Sequence, residues 1–195
     1  MERIDLHTHT LASDGSDAPA DVVRKAAALG LRAVAVTDHD TFAGLPEARA
    51  AGQRCGIEVV PGVELSTVWG GEEVHLLGYF MDTENTALRT LMTRATDERN
   101  ARNETMVQRL HDAGYPITMD DLHAAFPGQT VLGRPHIAAL LVQRGCIASV
   151  PDGMRGLLGR GKEFYVPRYN VPLEDFIRAQ GADAVSYTHL TLPTT

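Results

Sequence analysis

Hydrophobic and polar positions along this chain follow two rhythms in turn. Ile4-Asp5-Leu6-His7-Thr8-His9 alternates apolar and polar residues and predicts a short strand. Asp17-Ala18-Pro19-Ala20-Asp21-Val22-Val23 reads as a helix start, with Asp17 or Ser16 as cap, Pro19 in the first turn and Gly30 past the end. Leu31 to Thr37 is a continuous apolar run that fits a parallel strand buried on both faces. A second helix is predicted from Leu45 to Cys55, ending at Gly56. A third strand, Ile57 to Pro61, precedes Gly62-Val63-Glu64. Trp69-Gly70-Gly71-Glu72 makes a turn, and Glu73 to Phe80 another strand. Strand, helix, strand, helix, strand is the rhythm of a parallel α/β layout.

The second rhythm starts at Asn85. Leu88, Leu91, Ala95, Met106 and Leu110 recur at helical spacing through a long polar helix closed by Gly114. Thr118-Met119-Asp120-Asp121 resembles a capping box with Asp in the place of Glu. Pro135 opens another helix and Gly145 closes it. Residues 84–165 are therefore expected to form a helical insertion between residues 1–83 and 166–185 of one α/β layout. Pro172 opens a last helix, Leu173 to Gln180, closed by Gly181, and Ala182 to Val185 begins another buried strand. Residues 186–195 are Thr-rich and carry no expected element. They read as a foreign tail on a truncated gene, as from an adapter or vector end.

Composition adds bounds. At 195 residues, 44% hydrophobic and 22% charged, the chain suits one well-buried domain with a small insert. Eighteen basic against twenty-five acidic residues, a formal charge of −7, argue against broad duplex binding. Cys55 and Cys146 lack metal or disulfide spacing. No secretory signal precedes the first strand, and no run of about 20 apolar residues could span a bilayer. The expectation is a soluble cytoplasmic protein without an obligate protein partner.

The candidate chemistry gathers at strand ends. On a strand His7 and His9 share a face, about 7 Å apart along the chain, and can close on one metal ion. Asp14, a loop away, can supply an oxygen ligand. In parallel α/β folds, ligand sites collect at the C-terminal ends of strands, and His7, His9, His39 and Glu64 are all predicted there. An isolated His75 would pass for an ordinary strand residue; beside those four it becomes a candidate ligand. In the helical stretch, Arg99, Arg102 and Asn103 can share a helix face. Arg134 and His136 bracket Pro135 at a helix start that favours anions. A multi-metal site needs such groups to hold a phosphate over it. Arg155, Arg160, Lys162 and Arg168 read as solvated charges, and His111, His123 and His189 are not offered as ligands.

Four signatures in order, His7-Thr8-His9 with Asp14, Thr37-Asp38-His39-Asp40, Gly62-Val63-Glu64 and Val74-His75, resemble the polymerase-and-histidinol-phosphatase (PHP) family of metal-dependent phosphoesterases. Arg99-Asn100-Ala101-Arg102-Asn103 and Gly133-Arg134-Pro135-His136 are similar to its YciV/TrpH-like, ribonuclease AM branch. That branch acts on nucleoside 3′,5′-bisphosphates and on short RNA from the 5′ end. The resemblance implies a distorted (β/α)7 TIM-like barrel, here incomplete at the C-terminus, with three divalent ions, usually manganese, otherwise iron, zinc or magnesium. His7, His9 and Glu64 would hold the first metal, Asp14 and His39 the second, and Glu64 with His75 the third. The family's later ligands, a His after the strand near Ala184 and an Asp-x-His near the end, do not appear.

Such ions would activate water and neutralise phosphoryl charge. Asp14 and His39 would serve catalysis through the metal they hold. Arg99, Arg102, Asn103 and Arg134 would bind the other phosphate, and His136 would contact phosphate or assist the leaving group. The substrate implied is a nucleoside bisphosphate or a short single-stranded RNA. Rival readings are a histidinol-phosphate-type monoesterase, which should not need the arginines, a polymerase proofreading module, which needs a far longer chain, and a non-catalytic metal-binding fragment.

Overall fold

The computed structural model describes residues 3–167, 169–180 and 185–189. They fall into two compact units, Met1–Thr96 with Asn170–Thr195, and Asp97–Tyr169.

In the first unit, strands β1 (Arg3–Thr8), β2 (Leu31–Val36) and β3 (Glu58–Trp69) pair in parallel, with helices α1 (Pro19–Ala28) and α2 (Leu45–Cys55) as the connections. Alternate residues of β2 serve two cores. Val34 and Val36 pack with Val23, Ala26, Leu45, Ala48 and Ala51 of the two helices. Ala33 and Ala35 pack with Val60, Leu77 and Tyr79. Gly56, at φ 67°, caps α2 as expected. The cap expected for α1 is not made: Ala18 stands at that position, and Asp17 instead pairs with Lys25 at 2.7 Å. Pro19, with φ already set for a helix, opens the first turn without it.

The third strand runs far past its predicted end at Pro61. Glu58 to Pro61 pair in parallel with β2. From Gly62 onward the same strand turns to pair antiparallel with β4 (Glu72–Tyr79). Pro61 and Gly62 read as terminators because each weakens a strand interior. Here they mark a change of partner: a Cβ on Gly62 would lie 2.8 Å from Thr37 Cγ2 and 3.0 Å from the Gly78 carbonyl. Gly70 and Gly71, both at positive φ, close the hairpin. Glu64 therefore lies inside β3, not at a strand's C-terminal end.

Two further strands, β5 (Val171–Pro172) and β6 (Val185–His189), complete a six-stranded sheet of order β1-β2-β3-β4-β6, with β5 beside β3. Strand β6 pairs antiparallel with β4, although no element was expected beyond Val185. The open edge of β4 offers backbone partners to any extended segment, and Val-Ser-Tyr-Thr-His suits a strand. Helix α7 (Leu173–Ala179) matches its prediction closely and buries Phe176. The expectations on Arg168, Gly181, Ala182 to Ala184 and residues 190–195 lie outside the described residues.

Helix α3 (Thr86–Asp112) begins in the first unit and runs on into the second, which is helical. There α4 (Met119–Ala125), α5 (Arg134–Gln143) and α6 (Val150–Gly153) follow. Met106, Val107 and Leu110 of α3 share a core with Leu122, Ile137, Leu140, Leu141, Leu158 and Phe164. Thr118 makes the expected capping box with Asp121. Helix α6 does carry a start signal, Ser149 as cap with Pro151 and Asp152 in its first turn, whereas the wide π-helical turn Met154–Leu158 after it has none. Gly159 permits that turn, since a Cβ there would collide with the Met154 carbonyl. Among the described residues no helix is long and apolar enough to cross a membrane.

Candidate metal centre

Six predicted residues converge in the first unit. His7 comes from the end of β1, where the pairing register with β2 slips between Asp5 and Thr8, and His9 follows just past the strand. His39 follows β2 and bridges to Glu64 through the backbone. Glu64 and His75 are diagonal neighbours on one face of the β3–β4 ladder, since Glu64 faces Leu77 and Ser66 faces His75.

One carboxylate sits at the middle. Glu64 Oε2 lies 2.7 Å from His7 Nε2 and 2.9 Å from His9 Nε2, and Oε1 lies 2.6 Å from His75 Nδ1. A second carboxylate, Asp14, lies 3.1 Å from His9 Nδ1 and 3.7 Å from His39 Nε2. The rings run in a chain, with centroids 5.1 Å apart from His7 to His9, 4.7 Å from His9 to His39 and 5.0 Å from His39 to His75.

Three sets of donor atoms lie within 4.8 Å of one another: His7, His9 and Glu64; His9, Asp14 and His39; His39, Glu64 and His75. His9, His39 and Glu64 are each shared between two sets, whereas the resemblance implies sharing at Glu64 alone. The donor chemistry fits divalent ions. His7 Nε2 and His9 Nε2 face each other at 3.1 Å and share one carboxylate oxygen. Spacings of 2.7–3.1 Å match the edges, about 3.0 Å, of an octahedron with ligands about 2.1 Å from its centre.

The electrostatics agree. Burial opposes the Glu64 charge, yet hydrogen bonds from His7, His75 and His9 and the charge of His39 hold its carboxyl far below the usual carboxylate range. Burial likewise opposes a charge on His9, but hydrogen bonds to Asp14 and Glu64 and their charges push it up to about 10. A metal ion would take the place of that proton.

The second unit assembles the other predicted residues around the start of α5. Arg99, Arg102, Asn103 and His136 are all buried. Arg102 Nε donates to Asn103 Oδ1 at 3.1 Å, and Asn103 Nδ2 donates to the Leu132 carbonyl at 2.9 Å. Arg99 packs against Gly133, where a Cβ would lie 3.2 Å from Nη1. The Gly133 N–H donates to His136 Nδ1 at 2.9 Å, which leaves the ring's Nε2 to carry its proton and donate. Phe126 meets the His136 ring edge-on at 4.9 Å. Arg134 lies 5.8 Å from the centre of the Tyr165 ring. Arg155 pairs with Asp152, and His111 contacts the Ile117 carbonyl, both away from this cluster's contacts.

Sequence reasoning passed over Asp38 and Asp40, each 1% exposed, and Thr10 and Ser13, which are as deeply buried. Their signal was the Asp-His-Asp triplet itself: acidic residues on both sides of a ligand at the end of a buried strand.

The model of the PHP domain family matches residues 5–145. The chain is 37% identical over 186 residues to the 5′-3′ exoribonuclease Rnm of Salmonella typhimurium, covering 93% of this chain and 63% of that protein. It is 35% identical over 177 residues to the 3′,5′-nucleoside bisphosphate phosphatase of Chromobacterium violaceum, covering 91% of this chain and 62% of the relative. A solved structure described as a metal-dependent phosphoesterase from Bifidobacterium adolescentis superposes with a TM-score of 0.89 at 33% identity, over 96% of this chain and 66% of that one. The chain thus spans less than two thirds of the relatives it matches.

Proposed function

We propose a metal-dependent phosphoesterase, on the premise that the chain belongs to the PHP domain family. The observation that carries the reading is the convergence of His7, His9, Asp14, His39, Glu64 and His75 into three overlapping donor sets. In this reading His7, His9 and Glu64 hold one divalent ion, Asp14 and His39 a second, and Glu64 and His75 a third. Manganese is the ion proposed, with iron, zinc or magnesium as alternatives. The sheet belongs to a distorted (β/α)7 barrel.

The substrates proposed are nucleoside 3′,5′-bisphosphates and short single-stranded RNA taken from the 5′ end, in the cytoplasm. Names of the Salmonella and Chromobacterium relatives support that choice. When bound, divalent ions supply an activated water and neutralise charge on the phosphoryl oxygens. The water oxygen bonds to phosphorus, the bond to the ribose oxygen breaks, and that oxygen takes up a proton. Asp14 and His39 would serve this step by holding one of these ions. Arg99, Arg102, Asn103 and Arg134 bind phosphate, and His136, with Nε2–H as donor, contacts phosphate or protonates the leaving oxygen.

The test is phosphate release by the manganese-supplemented chain from adenosine 3′,5′-bisphosphate and from histidinol phosphate. Release from the first and not the second is expected. The reverse preference would replace this reading with a histidinol-phosphate-type monoesterase. Manganese uptake without turnover of either would leave a metal-binding module.

A further inference from the structure

The two carboxylates on either side of His39 belong to none of the three donor sets, yet each is almost fully buried. Burying a carboxylate is costly unless its oxygens are hydrogen-bonded, and the bonds here go to the segments that carry the ligands. Asp38 Oδ1 accepts from the Thr10 N–H at 2.7 Å and from Ser13 Oγ at 2.7 Å. Asp38 Oδ2 accepts from Thr10 Oγ1 at 2.8 Å. Thr10 in turn closes the turn on itself: its Oγ1 accepts from the Ala12 N–H, and its carbonyl accepts from the N–H groups of Ser13 and Gly15. That turn begins at His9 and contains Asp14.

The same residue holds a third segment through its backbone. The Asp38 carbonyl accepts from the Glu64 N–H at 3.2 Å, and the Glu64 carbonyl accepts from the Asp40 N–H at 3.0 Å. Asp40 Oδ1 then accepts from the Ser66 N–H at 2.8 Å, with Asp40 in the left-handed region at φ 53°. Packing around the clasp is tight. A Cβ on Gly44 would lie 2.9 Å from Asp38 Oδ2 and 3.0 Å from Thr10 Oγ1, and one on Gly15 would collide with the His9 carbonyl.

We infer that Asp38 is the positioning residue of the metal centre: its carboxylate clasps the turn from His9 to Asp14 against the His39 and Glu64 segments. The inference rests on the metal-centre reading above. Asp38 touches no metal in this account; it acts by fixing where His9 and Asp14 stand. Carboxylates behind metal ligands typically contribute 10–100-fold to metal affinity.

The experiment is manganese affinity of the full chain by chelator competition, with the unfolding temperature of the metal-free chain recorded beside it. Asp38→Asn keeps the size but replaces one acceptor oxygen with a donor, and a fall of roughly 10–100-fold in affinity is expected. Thr10→Ser, which keeps the hydroxyl, should bind like the wild type, whereas Thr10→Val should weaken binding as Asp38→Asn does. Ser13→Ala should weaken it less. If Asp38→Asn does not fold, the Thr10 pair decides alone. Unchanged affinity in Asp38→Asn, or equal affinity in Thr10→Ser and Thr10→Val, overturns the positioning role. So does a fall in metal-free unfolding temperature with affinity intact. A wild-type chain that takes up no manganese would instead overturn the metal-centre reading itself.

Discussion

In the first unit, Glu64 is 3% exposed and sits among imidazoles that can trade a proton for a metal ion. In the second, Arg99 and Arg102 are 8% and 5% exposed and carry charges they cannot shed. Both regions bury polar groups, but the ligand each suits differs for that reason. A carboxylate ringed by imidazole nitrogens accepts a cation as His9 gives up its proton. In the proposed function, the permanent cations beside an amide and a helix start take an anion. The scaffolds differ as well. In the first, His7, Glu64 and His75 are set by strand pairing and His9 and Asp14 by the turn that Asp38 holds, whereas Arg99, Arg102 and Asn103 of the second are set by one helix and a turn some thirty residues on.

The contrast breaks most visibly at Glu64. Glu64→Ala removes both oxygens that face His7, His9 and His75. Manganese affinity should fall by more than 100-fold, beyond the effect typical of supporting residues. The metal-free chain should lose roughly 3 kcal/mol, the low end for breaking a buried pair, since His7 and His9 remain partly solvated. Metal content by mass spectrometry and thermal unfolding measure the two effects. A variant that still bound metal like the wild type would remove Glu64 from the centre.

Acidity should then separate the two regions. The folded pKa of His9, about 10, lies above its ordinary 6.5. Its contribution to metal-free stability is therefore complete below 6.5 and lost as pH rises through about 10. Glu64 is shifted the other way, so its contribution is present above about 4.5 and lost as pH falls well below that. Metal must displace the His9 proton, so manganese affinity should climb about tenfold per pH unit between 6.5 and 10. Titrations by calorimetry across that range would show the slope. A flat profile would mean that His9 stays outside the coordination shell.

In the second region, Arg102→Lys keeps the charge and loses the planar fork. KM for adenosine 3′,5′-bisphosphate should rise about tenfold, equivalent to about 1.4 kcal/mol, while manganese uptake stays unchanged. A loss of metal with the arginine would erase the distinction between the two regions.

How much of this was legible follows from where the information lies. His7, His9, His39 and Glu64 each belong to a short signature whose neighbours announce it. Their convergence needed only the ordered strands and helices. Glu64's position inside β3 was not legible, because Pro61 and Gly62 signal an end that the switch from β2 to β4 turns into a continuation. Asp38 and Asp40 were passed over because acidic side chains are ordinarily solvated, and only the fold shows which donors they meet. Arg99 and Arg102 were visible by spacing, but the Leu132 carbonyl that holds Asn103 was not. The π-helical turn Met154–Leu158 had no local signature at all.

The smallest effect should come from Thr118, which lies in the helical unit and takes part in neither cluster's contacts. Its Oγ1 accepts from the Asp121 N–H at 3.1 Å, and the Asp121 carboxylate accepts from the Thr118 N–H at 2.9 Å. Hydrogen bonds from Thr118 also hold the Asp121 carboxyl below its usual range. Thr118→Ala should cost about 1 kcal/mol, the usual value of an N-cap, read as a small drop in unfolding temperature. Manganese affinity and KM should not move. Neither cluster draws a contact from Thr118, so loosening the start of α4 alone leaves both intact. A shift in KM without a shift in manganese affinity would show that the arginine cluster depends on the packing of α4. Because α4 meets α5 through Leu122 and Ile137 in the shared core, Leu122→Ala would then have to move KM further in the same direction.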